Sequence, residues 1–177
     1  IERFKNKETK NIRFINAMHH GAFHFFVPKN SPIKSLREAV TKLPLKNLMV
    51  VSKLAMHYTM IGNIFEAYGT SFDDLAKRGG SLAYAEYAQA INLMKDGQAD
   101  LLMIHTPAPS SVILDIDSSP GIRFLEMEPD IMKKAIKLIP GMVEVTIPGG
   151  IYRNLPKDYN TIGVYFHNFT HKDISEG

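Results

Sequence analysis

The sequence predicts an α/β fold, with a mainly parallel sheet flanked by helices. Three observations carry this. Short continuous apolar runs, NLMVVS (47–52) and ADLLMI (99–104), suit strands covered on both faces. Between them lie longer segments with a helical apolar stripe, closed by glycine or proline. The two kinds alternate along the chain as strand, helix, strand, helix, which favours parallel strands joined by crossovers.

In order, IERFKNKETKN is a polar opening. NIRFINAM (11–18) and AFHFFVPKN (22–30) read as strands rich in Ile, Phe and Val, near enough to pair as a hairpin or to run on through one sheet. SPIKSLREAVTKL (31–43) reads as a helix, capped by Ser35 with Glu38 completing a capping box. NLMVVS is a strand, and YTMIGNIFEAYG a helix ending near Gly69. Residues 82–95 read as one long helix closed by Gly97, and 99–104 as the next strand. PSSVILDI forms a short helix and GIRFLEM (121–127) a strand. EPDIMKKAIKLIP is a helix with Glu128 and Asp130 at its positive end, Lys137 at its negative end and Pro140 as its stop. MVEVTIP alternates as a strand, GGIYRNLPKDYN is a loop, and TIGVYFHNF (161–169) is the last strand.

Composition excludes several classes. The chain has 177 residues, 45% hydrophobic and 22% charged, with a net charge of +3, which fits an ordinary globular domain and is too weak a basic excess for nucleic acid. It has no cysteine, so disulfides and thiol chemistry are out. It opens on Ile1 with no signal-peptide run behind it, which reads as a cut, and no stretch approaches the ~20 apolar residues of a membrane span.

Catalytic and metal motifs are lacking. His19, His20 and His24 include an i, i+4 spacing, but in a strand they read as surface or packed histidines. DIDSSPGIRFLE resembles a calcium loop, except that Pro120 stands where such loops need glycine; a capped turn is the better reading. There is no phosphate loop, G-x-S-x-G elbow or H-E-x-x-H, and nothing calls for a cofactor or makes the chain an enzyme.

Sites in parallel α/β sheets lie beyond the carboxyl ends of strands. That nominates Lys53, His57, Tyr58 and Thr59 after one strand, and His105 and Thr106 after another. Ser81 and Tyr84 enter a helix from a glycine pair, and Tyr152 and Arg153 follow the flexible PGG. Arg153 would pair with a carboxylate, and Lys53 beside free helix N–H groups would receive an anion.

KDGQADLLMIHTPAPSSVI, PDIMKKAIKLIPGMVEVTIPGGIY and NTIGVYF, in that order, resemble the TAXI family of solute-binding proteins, the TRAP-transporter-associated extracytoplasmic immunogenic proteins. AFHFFVPKNSPIKSLREA and GNIFEAYGTSFDDL fit the same series, whereas SKLAMHYT replaces a glycine- and serine-rich loop of the family. The resemblance implies a type II periplasmic-binding fold, of which this chain is the second lobe. Residues 1–32 would be a first-lobe remnant and crossing strand, 33–160 the ligand-binding lobe, and 161–177 the returning crossing strand. It implies a periplasmic or extracytoplasmic receptor for a small organic acid, such as an amino acid or dicarboxylate, partnered by TRAP permease subunits. The alternative is the effector-binding domain of a regulator or sensor with the same fold.

Overall fold

The structure, a computed structural model, describes residues 10–50, 56–119 and 121–174. The elements are β1 (Ile12–Pro28), α1 (Leu36–Lys42), β2 (Leu48–Val50), α2 (Met56–Ala67), α3 (Phe72–Lys77), β3 (Leu82–Tyr84) and α4 (Tyr87–Lys95). They continue with β4 (Leu102–Thr106), α5 (Ser111–Ser118), β5 (Ile122–Phe124), α6 (Pro129–Leu138), β6 (Met142–Ile147) and β7 (Tyr159–His171). The α/β class expected from the sequence is therefore present.

The two expected opening strands are one strand of 17 residues, β1, and it organises the main sheet. β4, β5 and β7 all pair with β1 in antiparallel fashion, and β6 adds to β7, giving the path β4-β1-β7-β6 with β5 beside β1. The expected mainly parallel sheet is thus corrected: among the described pairings only β2 with β3 is parallel. The physical reason is the position of β1. Phe26 of β1 is registered with both Leu102 of β4 and Phe124 of β5, so those two strands run parallel to each other with an antiparallel strand between them. The succession β4–α5–β5 keeps its crossover direction without putting parallel neighbours side by side.

Local signals hold where they were specific. Ser35 Oγ accepts from the Glu38 N–H (3.1 Å), though the Glu38 carboxylate reaches back to the Lys34 N–H (3.2 Å) rather than to the cap residue. Gly97 turns the chain out of α4 with φ 69°. The expected helix over 82–95 is corrected: Leu82–Tyr84 is strand, registered on Leu48–Val50, and the helix starts only at Tyr87. Leu and Ala favour a helix locally, but completing the ladder of β2 wins over propensity. The actual start of α4 is a capping box between Glu86 and Gln89.

The core gathers around the second half of β1. Phe23, Phe25, Phe26 and Val27 are fully buried, against Leu101–Ile104, Ile61, Ile64 and Phe65. Gly21 and Gly163 let β1 and β7 close on each other: a Cβ on Gly163 would lie 2.1 Å from the Gly21 carbonyl oxygen. Beyond this pair the two strands continue outward as an exposed ribbon, Ile12–His20 against Tyr165–His171.

Candidate functional site

A cleft of about 460 Å³ lies where the ribbon leaves the core. Its size is that of a small-molecule site. One wall is the first turns of α2, with Met56, His57 and Met60; another is β7 from Val164 to His167 with Phe169. His105, near the end of β4, joins them, and Pro140-Gly141 lies at one side. The mouth is apolar, since Met56 and Phe169 are 66% and 59% exposed.

The two imidazoles give the cleft its polarity. His57 is buried and its Nε2 lies 2.9 Å from the Met103 carbonyl oxygen. A carbonyl only accepts, so Nε2 carries the proton. Burial holds the ring below its ordinary pKa, against the opposing pull of the Met103 bond, so the ring is neutral near pH 7 and Nδ1 is a bare acceptor. That Nδ1 is buried with no hydrogen-bond partner among the described residues, and the same is true of His105 Nε2. Burial lowers His105 from 6.5 to about 4, opposed by backbone bonding at Gly21 and reinforced by the neighbouring His57.

Both rings are fixed by packing. Phe23 stacks on His57 (6.3 Å) and leans on His105 (5.0 Å), while Tyr87 meets His57 edge-on (5.8 Å). The Tyr87 hydroxyl donates to the His105 carbonyl oxygen (2.8 Å), tying α4 to the end of β4. Gly21 makes room for the His105 ring: a Cβ there would lie 2.7 Å from Cε1 and 2.8 Å from Nε2.

Of the residues nominated from the sequence, His57 and His105 meet in this cleft. Lys53 lies outside the described residues. Tyr58 packs on Phe72 (5.1 Å), and Thr59 is exposed on α2. Thr106 bonds Ser110 Oγ (3.4 Å) at the start of α5. Ser81 stands at the amino end of β3 and accepts from the Asn47 N–H (2.9 Å), and Tyr84, at the carboxyl end of β3, is half exposed. Tyr152 is in the core, not on a cleft: its hydroxyl donates to His24 Nε2 (3.1 Å) and accepts from the Ser110 N–H (3.0 Å). Arg153 is exposed and reaches the Ser118 carbonyl oxygen (3.5 Å).

The cleft wall from Val164 to Phe169 and the methionines Met56 and Met60 were not nominated. The signal for them was present in VYFHNF, an aromatic run directly after the Gly163 close approach. No cluster of metal-ligating residues occurs among the described residues. Asp117 of the calcium-like segment is buried and accepts from the Asn154 side chain (2.7 Å), as a structural turn. A second depression, about 220 Å³ between α4 and α5, contains none of the unpaired buried atoms.

The profile of the NMT1-like family matches residues 2–177. The chain belongs to the NMT1-like family. No curated protein matches it. Similar solved structures include a Corynebacterium glutamicum OxyR mutant, at 10% identity and TM-score 0.48 over 95% of this chain and 40% of that one. They also include an ancestral arginine-binding protein bound to arginine, at 14% identity and TM-score 0.44 over 77% of this chain and 58% of that one. This NMT1-like chain thus spans between two fifths and three fifths of the length of those structures. No helix among its described residues is long and apolar enough to cross a membrane.

Proposed function

We propose that this NMT1-like chain is the second lobe of a type II, extracytoplasmic solute receptor of the TRAP kind, in the TAXI branch, and not an enzyme. The observation that carries this is the cleft. It is lined by the imidazoles of His57 and His105 and by an apolar wall that includes Met56, Met60 and Phe166. The ribbon of β1 and β7 supports the same reading, since both strands leave the lobe together beside the cleft, as strands crossing to a first lobe would.

A small organic solute bound here would be handed to membrane permease subunits. The test is a thermal-shift screen of the full-length protein with amino acids, dicarboxylates and more apolar organic acids and phenols, with the solute recovered and analysed afterwards. At least one compound raises Tm by several degrees and is recovered unchanged. Conversion of a stabilising compound to product would sink the receptor reading in favour of an enzyme. A ligand-controlled response of a fused DNA-binding or signalling segment would favour the effector domain.

A further inference from the structure

Two glycines meet where the ribbon leaves the core, and they are glycine for different reasons. A Cβ on Gly163 would lie 2.1 Å from the carbonyl oxygen of Gly21 and 3.1 Å from its carbonyl carbon, so β1 and β7 would have to separate. A Cβ on Gly21 would meet rings instead: its three nearest atoms are His105 Cε1 (2.7 Å), His105 Nε2 (2.8 Å) and Phe166 Cε2 (3.0 Å). Gly21 also lacks the positive φ that would disfavour a side chain. Gly163 serves the ladder, whereas Gly21 serves the two rings above it.

Those rings belong to the cleft. Successive strand residues face opposite ways, so position 21 shares the face of Phe23, which is registered with His105, and its own partner is Val164. His105, Val164 and Phe166 all line the cleft. The His105 and Phe166 rings approach to 5.9 Å, and His105 leans on the fully buried Phe23 (5.0 Å). Phe23 blocks retreat into the core, so a side chain at 21 would drive the rings towards the cleft. Glycine inside a strand weakens it and marks a place where something else comes close. Here that something is a pair of cleft side chains.

We propose that Gly21 is a specificity-determining position of the cleft: its missing side chain seats His105 and Phe166 low, and the depth this leaves sets the size of solute accepted. Gly21 acts through the two rings and is a positioning residue. This rests on the reading of the cleft as the solute site.

The test titrates the full chain, wild type and Gly21→Ala, with butanoate, hexanoate and octanoate. These share one head group, and their growing apolar body suits the wall of Met56, Met60 and Phe166. Gly21→Ala is expected to fold and to move the His105 and Phe166 ring signals in NMR before any acid is added. Its loss of affinity is expected to grow along the series, octanoate losing about tenfold more than butanoate. In a His105→Ala background, where the nearest ring is gone, the same substitution is expected to change that ratio less than about threefold. A loss equal for all three acids, or one undiminished without the His105 ring, gives Gly21 a merely structural role and overturns the proposal, leaving the receptor reading standing. Failure of Gly21→Ala to fold, the outcome expected of Gly163→Ala, also overturns it, because the rings then do not yield. If the acids leave the ring signals of the wild type unmoved, the cleft is overturned as their site, and the size rule falls with it.

Discussion

β1 and β7 are one pair of strands with two different halves. From Gly21 to Val27, β1 is buried throughout, and β7 is buried at Thr161–Gly163. From Ile12 to His20 and from Tyr165 to Phe169, every residue is exposed, although large apolar side chains are frequent here too: Ile12, Phe14, Ile15, Phe166 and Phe169 stand between 39% and 59% open. Backbone pairing continues through both halves, interrupted by irregularities between Phe14 and Asn16 and between Ala17 and His20. The ladder alone therefore does not make a core. Where helices cover the sheet, the strands are structural; where none do, the pair is a marginal two-stranded ribbon held by cross-strand rings such as Phe14 with Phe169 (5.9 Å) and His20 with Tyr165 (5.8 Å). The cleft lies at the junction, which is where a binding site gains from a rigid wall on one side and an uncovered strand on the other.

The sharpest way to break this comparison is in the buried half. Phe25→Ala removes a fully buried ring stacked on Phe23 (5.6 Å) and is expected to cost about 3–5 kcal/mol in urea unfolding. A loss below 1 kcal/mol would mean that the inner half of β1 is not the centre of the core.

Next in size is a pH effect from the same half. His24 is buried, and desolvation lowers its pKa from 6.5 to about 4 despite the bond to the Ala22 carbonyl oxygen (3.0 Å); His105 lies near enough to lower it further. Nδ1–H donates to Ala22, so Nε2 accepts from the Tyr152 hydroxyl, which itself accepts from Ser110 N–H. The unfolded chain binds the proton first on acidification, so this contribution to stability is complete above pH 6.5 and is lost as pH falls through about 4. The shift corresponds to on the order of 3 kcal/mol for His24. Urea midpoints at pH 7, 5.5 and 4.5 are expected to fall in that order, and more shallowly in His24→Phe. An unchanged slope in the variant would assign the acid sensitivity to His57 and His105 at the cleft.

How far this division was legible in the sequence depends on the residue. FHFFV, apolar but for His24, announces a strand. IRFI and VYFHNF are equally β-prone, and nothing in their pattern says that one side stays open, because cover is decided by helices placed elsewhere in the chain. The main sheet's direction was illegible for a similar reason: alternation of strand and helix fixes the relative direction of β4 and β5 but not which strand lies between them. Leu82–Tyr84 read as helix because its residues favour one, and only pairing with β2 makes it strand. At the site, His57 and His105 were legible by position, each following an apolar strand. Tyr152 was not, since a tyrosine after two glycines reads equally as ligand contact or core, and its hydroxyl is used by His24 and Ser110.

The smallest expected effect is the most discriminating. Phe14→Ser removes an exposed ring that touches only the cross-strand neighbours His167 (5.7 Å) and Phe169 (5.9 Å), among the ring contacts described. It is expected to cost at most about 1 kcal/mol, the worth of a cross-strand aromatic pair. Amides of residues 12–20 are also expected to exchange well before those of 22–27, since local opening of the ribbon does not require opening the core. A cost approaching that of Phe25→Ala, with protection of 12–20 equal to that of 22–27, would show that the ribbon is covered in solution. The contrast between the two halves would then not hold for the protein in solution. Dilution separates the two ways of covering it: protection that fades as the protein is diluted belongs to a second copy, and protection independent of concentration belongs to contacts within one molecule.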